Sequence, residues 1–209
     1  MTATRRGKSA DPRFDIYDTP MWCMQALLDE VRLPGGLWVE PCAGSGVLVE
    51  ATTTRRSDVA WELVELREEC LPGLQRLSSR VYTQDAREWS AQAHARGMRY
   101  DVIVTNPPFS LAFELLQSFL PLASWVILLL RIGFIGSKAR QAFFRRLMPD
   151  TGVLIPRPQF GNRPIGKASD STEYGWFIWG PNRERSRGEW FVLPTPPEYE
   201  QQKKRKPLV

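Results

Sequence analysis

A chain of 209 residues, 43% hydrophobic and 24% charged, has the length and composition of one domain with a full core, which excludes wholesale disorder. Lys and Arg outnumber Asp and Glu by 28 to 23, and the net charge of +5 leans weakly toward a polyanionic partner. The most apolar stretch, Phe119 to Leu130, contains Pro121 and falls short of the roughly 20 residues that a membrane span requires; Cys23, Cys42 and Cys70 lack metal-ligand spacing and fit a reducing, cytoplasmic setting.

Residues 1–12 read as a basic tail with Arg5, Arg6 and Lys8 and without the apolar core of a leader peptide. Tyr17 to Pro20 leads into Met21 to Val31, where Trp22, Met24, Leu27, Leu28 and Val31 keep helical spacing. Thr19 is the expected N-cap, with Pro20 at the first helical position. After Pro34-Gly35-Gly36, the short strand Leu37 to Glu40 runs into Pro41-Cys42-Ala43-Gly44-Ser45-Gly46 and then a helix, Val47 to Thr53. Glycines at such a turn let a ligand approach the backbone. A second strand, Val59 to Val64, ends in Glu65, about 20 residues past the glycines, where an acid can take ribose hydroxyls. Val49 stands where a dinucleotide fingerprint has a small residue, so another nucleoside-bearing cofactor fits better.

Arg67 to Leu77 reads as a helix interrupted near Pro72-Gly73, and Val81 to Thr83 as a third strand followed by Gln84, Asp85 and Ala86. Glu40, Glu65 and Asp85 thus end three consecutive strands. The polar run Ser90 to Arg99 holds the lone His94, read as a surface residue without a role. The fourth strand, Tyr100 to Thr105, meets Asn106-Pro107-Pro108-Phe109. Two prolines cannot continue a ladder, so an amide and an aromatic are left at the carboxyl edge, where open α/β sheets bind ligands. These four residues are the expected catalytic site, acting on a planar amine.

A helix follows at Leu111 to Leu120, then an apolar fifth strand, Trp125 to Leu130. The basic helix Lys138 to Leu147 reads as a solvated face rather than a nucleic-acid contact, and Val153 to Ile155 with Tyr174 to Trp179 as an antiparallel hairpin. The long loop between them carries Arg157, Phe160, Arg163 and Lys167, expected to contact substrate. Beyond it, the apolar knot Trp190 to Leu193 can close against the sheet.

Glu40-Pro41-x-x-Gly44-x-Gly46, Glu65, Asp85 and Asn106-Pro107-Pro108-Phe109, in that order at successive strand ends, resemble the class I S-adenosylmethionine-dependent amino-methyltransferases. Within these the chain is similar to small phage and prophage enzymes that make N6-methyladenine in DNA. The resemblance implies an α/β fold, a doubly wound, mostly parallel seven-stranded sheet ending in an antiparallel hairpin. The domain would span 13–182, with 183–209 as an extension ending in a basic tail.

It also implies S-adenosylmethionine as cofactor, held by Tyr17, Thr19 and Pro20 at its methionine part, by Glu40 near its amino group and by Pro41, Cys42, Ala43, Gly44 and Gly46 along its length. Glu65 would take the ribose hydroxyls, and Asp85 with Ala86 would face the adenine. Acceptors at Asn106 and Pro107 would localise the lone pair of the target amine, with Phe109 stacked on a base flipped out of duplex DNA. No metal is expected. Cytosine N4, an RNA adenine or a protein glutamine offers the same planar nitrogen. From another class, a catalytically silent nucleic-acid-binding subunit could keep the fold. Pro41-Cys42 also resembles the nucleophile motif of cytosine-C5 enzymes, but its place inside the cofactor turn argues against that role.

Overall fold

The computed structural model describes residues 19–160, 172–184 and 186–195. The expectations for Tyr17, Arg163, Lys167 and both tails lie outside them.

The described residues form one eight-stranded sheet in the order β3-β2-β1-β4-β5-β7-β6-β8. Its first half comprises β1 (Gly36–Glu40), β2 (Val59–Glu65) and β3 (Val81–Thr83), and its second begins with β4 (Tyr100–Thr105) and β5 (Ala123–Arg131). All five run parallel. Then β7 (Tyr174–Trp179) inserts antiparallel between β5 and β6 (Asp150–Leu154). The expected hairpin is therefore present.

β8 (Trp190–Leu193) adds an eighth strand, parallel to β6, where seven were expected. It closes against the sheet as the apolar knot was read to do, but as a hydrogen-bonded strand that covers the edge β6 would otherwise expose. The two strands lie close because Gly152 of β6 has no side chain: a Cβ there would sit 2.9 Å from Leu193 Cγ.

Alternation along the strands feeds two cores. On one face Trp38, Val102, Val104 and Ile127 pack with α1 (Met21–Glu30), α2 (Val47–Thr53) and α3 (Leu71–Leu74). On the other, Val39, Ile103, Val126 and Leu128 pack with α4 (Ala86–Ala95), α5 (Ala112–Phe119) and α6 (Gln141–Arg146). Both faces being covered explains why β4, β5 and β7 read as near-continuous apolar runs. Trp176 Nε1 donates to the Cys23 carbonyl at 2.8 Å and Trp179 Nε1 to the Leu147 carbonyl at 3.1 Å, so both of these fully buried indoles keep their N–H satisfied.

Two local expectations are corrected. Helix α4 occupies much of the run read as merely polar, because its apolar stripe is only Trp89 and Ala93, one turn apart, too sparse to register as periodicity. His94 is exposed on it, with Nε2 2.9 Å from the Ser118 carbonyl. At α1 the cap position belongs to Pro20, with no side-chain cap bond, since Thr19 is committed elsewhere.

Leu193 is 2% exposed, so Leu193→Ala should remove about 2–5 kcal/mol of stability through reduced burial and a residual cavity. Urea unfolding monitored by tryptophan fluorescence checks this. A change below about 0.5 kcal/mol, the range of an ordinary surface substitution, would show that β8 is not part of the cooperative unit.

Candidate active site

Chain order fixes where the site lies. From β1 the chain winds outward through β2 to β3, then returns to place β4 on the other side of β1 and winds the opposite way. Crossover connections leave a crevice at the carboxyl ends of two strands whose chains depart in opposite directions. Glu40 ends β1 and Asn106 follows β4, so they flank that crevice.

A cavity of about 300 Å³ opens there, lined by Thr19, Glu40 to Ser45, Glu65, Leu66, Arg67, Gln84 to Arg87 and Asn106 to Phe109, with Leu48, Leu111 and Leu115 among the apolar walls. The structure thus brings together Thr19, Glu40, Pro41, Cys42, Ala43, Gly44, Glu65, Asp85, Ala86 and the whole Asn106–Phe109 element. Pro20 and Gly46 are not on the wall. Gly46 has φ +86°, and a Cβ on it would stand 2.4 Å from Leu77 Cδ1. Its glycine is required by the close packing of α2 against the α3 region.

Two buried side-chain oxygens in this cavity, Glu40 Oε2 and Asn106 Oδ1, have no hydrogen-bond partner among the described residues. Each such group costs about 1–3 kcal/mol if left unmet. Asn106 Nδ2, by contrast, donates to Thr19 Oγ1 at 3.0 Å, which ties the segment before α1 to the β4 end and leaves the amide oxygen for the cavity. Glu40 is 3% exposed, and its carboxyl is held well above its ordinary value, chiefly by burial and then by the Glu65 charge.

The other two acids are already engaged. Glu65 Oε2 accepts from the Gly44 amide at 2.6 Å, while Oε1 accepts from the Arg67 amide at 3.1 Å and Arg67 Nε at 2.8 Å. Asp85 caps α4 by accepting from the Arg87 amide at 2.8 Å, and its two oxygens also take Arg87 Nε and a terminal nitrogen at 3.0 and 2.7 Å. The Arg87 hydrogen bonds push the Asp85 carboxyl down. A ligand hydroxyl or amine at either acid meets a carboxylate whose orientation is fixed.

The Cys42 thiol is pushed far up, first by burial and then by Glu65 and Glu40, which disfavours the thiolate and argues against a nucleophilic role.

Phe109 carries the Arg131 guanidinium over its ring at 4.8 Å and lies 6.0 Å from Tyr174. Tyr174 in turn meets Phe160 edge to face at 4.7 Å. Phe160 therefore reaches the cavity wall through an aromatic relay. Arg157 does not join it; its guanidinium pairs with Glu173 at 2.5 Å on the exposed side.

Sequence reading missed Arg67, Arg87, Gln84 and Leu66. The first two follow an acid at i+2, a spacing visible in the sequence. Leu66, 45% exposed at the cavity lip just after Glu65, is an apolar residue that no core needs.

Among solved structures, the chain is similar to a predicted O-methyltransferase from Agrobacterium tumefaciens, with a TM-score of 0.56 and 14% identity over 88% of this chain and 95% of that one. A proposed class I S-adenosylmethionine-dependent methyltransferase from Listeria monocytogenes gives 0.55 and 11% over 81% of this chain and 62% of that one. The METTL16 methyltransferase domain gives 0.52 and 10% over 77% and 80%. No protein-family model and no curated protein matches the chain. At these identities the likeness is one of fold: the chain has the α/β Rossmann-like methyltransferase architecture.

Because the folded protein holds a proton on Glu40 that the unfolded chain releases at ordinary carboxylate pH, this residue favours folding at low pH. The contribution is lost as pH rises through its elevated folded value. Glu40→Gln should therefore be more stable than wild type at pH 8, and the gap should narrow toward pH 4. Thermal unfolding across that range tests it; a gap independent of pH would mean that Glu40 is not buried as an acid.

Proposed function

We propose that the protein transfers a methyl group from S-adenosylmethionine to the exocyclic N6 amine of adenine in DNA. The observation that carries this reading is the buried, unpartnered Asn106 Oδ1 beside two prolines, in the same cavity as the buried, unpartnered Glu40 Oε2. One orphan acceptor suits the substrate's N–H and the other the cofactor's ammonium.

The residues present fit the cofactor. Glu40 Oε2 would take the α-ammonium, the turn from Pro41 to Gly44 would lie along the methionine and ribose, Glu65 would meet the ribose hydroxyls, and Leu66, Asp85 and Ala86 would flank the adenine. When bound, the cofactor supplies a methyl on a sulfonium, open to in-line displacement. The chain's own part is position and polarisation. Asn106, anchored through Thr19, accepts a hydrogen bond from the target amine. The Pro107 carbonyl is the expected second acceptor. Together they draw the amine from planar toward tetrahedral, so its lone pair leaves the ring and faces the methyl. Such fixed acceptors act where charge develops in the transition state. Phe109, backed by Arg131, offers its remaining surface to a flipped base.

Asn106→Ala should lower turnover about 10²–10³-fold while cofactor binding persists. Thr19→Val, which removes only the anchor, should cost less. Radiolabelled cofactor with duplex DNA, single-stranded DNA and RNA, then nuclease digestion and mass analysis, identifies the product. N4-methylcytosine, or label confined to RNA or protein, would overturn the substrate assignment.

Cofactor affinity should rise with pH, because a cation seated at Glu40 displaces the proton its raised carboxyl holds. Isothermal titration from pH 5 to 8 measures the slope. Glu40→Gln should bind more weakly and without that slope; a wild-type slope in the variant would remove Glu40 from the ammonium site.

A further inference from the structure

We propose that the segment from Arg131 to Arg146 is a phosphate-contacting track that leads a polynucleotide to the cavity, an inference that rests on the nucleic-acid reading above. Between Arg131 and Pro149 the chain has five cations, Arg131, Lys138, Arg140, Arg145 and Arg146, and no carboxylate. That surplus equals the +5 of the entire chain, so the remaining 23 cations and 23 carboxylates balance. None of the five is in an ion pair with an Asp or Glu among the described residues, so their charge is not cancelled locally.

Position gives this surplus its meaning. The segment leaves the carboxyl end of β5, which pairs with β4, so it emerges beside the Asn106–Phe109 element. At its inner end the Arg131 guanidinium lies 4.8 Å from the Phe109 ring, and further out Arg140 lies 4.1 Å from Phe134 and 5.9 Å from Phe113 on α5. An arginine stacked on aromatic faces keeps its full charge and forked N–H donors while losing the freedom of its stem, which suits phosphate binding. Lys138, Arg145 and Arg146 are exposed beyond them. The result is a run of positive charge from the wall of the cavity outward, with no internal acid to neutralise it.

The test is equilibrium binding of a fluorescent duplex oligonucleotide across a salt series, read by anisotropy without any methyl transfer. In the variant Lys138→Gln/Arg145→Gln/Arg146→Gln, the slope of log K against log salt should become shallower by about 0.9 for each phosphate no longer neutralised, roughly 2.7 if all three side chains contribute. Its partner variant, Arg80→Gln/Arg96→Gln/Arg99→Gln, removes the same charge from exposed residues at the amino edge of the sheet and should keep the wild-type slope. Equal slopes in the two variants overturn the track, as does wild-type protein that binds anionic phosphatidylserine vesicles and not the duplex. Failure of the substrate assignment looks different: the slope change appears, yet DNA receives no methyl group.

Discussion

The parallel pairing of β1 with β4 is the constraint on which the site depends. Trp38 lies against Val102 and Val39 against Ile103, with both strands buried from both faces. Their register is fixed by packing, because a slip by one residue would exchange the two cores. Once these strands are neighbours and their chains wind away in opposite directions, a crevice at their carboxyl ends is unavoidable. Glu40 and Asn106 are set at its lips by the same register that fills the core.

The crevice is then finished by groups that the fold does not need for itself. A core built for stability alone would pair Glu40 Oε2 and Asn106 Oδ1 or replace them with apolar atoms, since a buried oxygen without a partner is costly. Both stand in the same cavity. Thr19 shows the same priority: it gives up the capping of α1 and holds the Asn106 amide instead. Local helix stability is traded for the orientation of one side chain.

Much of this was legible in the residues. Strands β3, β4 and β7 and helix α2 have the bounds that their residues suggest, and β4, β7 and α2 each have a proline or glycine close to at least one end. Helix α4 was not legible, since only Trp89 and Ala93 bury its stripe and its cap, Asp85, had been assigned to a ligand. The edge strand β8 was half legible: Trp190 to Leu193 announced an apolar segment, but pairing with β6 depends on Gly152, nearly forty residues earlier, lacking a side chain. The glycine turn was read as a unit, whereas Gly44 faces the cavity and Gly46 faces Leu77. Sequence spacing cannot separate two glycines that differ only in what lies behind them.

The three acids at the strand ends are equivalent in motif order and different in electrostatics, and the difference is written two residues downstream. Glu65 is followed by Arg67 and Asp85 by Arg87, and in each case the arginine folds back onto the carboxylate. Both acids are thereby paired in place, with their oxygens held in a fixed orientation. Glu40 has Cys42 at that position, a neutral thiol held far from ionisation. It is the one of the three without a cation partner among the described residues, and burial raises its carboxyl. A carboxyl in that condition discriminates by charge: a neutral ligand gains little by displacing the proton, while a cation restores the ionised form and supplies the missing partner at once. Residue 42 matters here as much as residue 40: with a thiol rather than an arginine there, Glu40 has no cation beside it among the described residues.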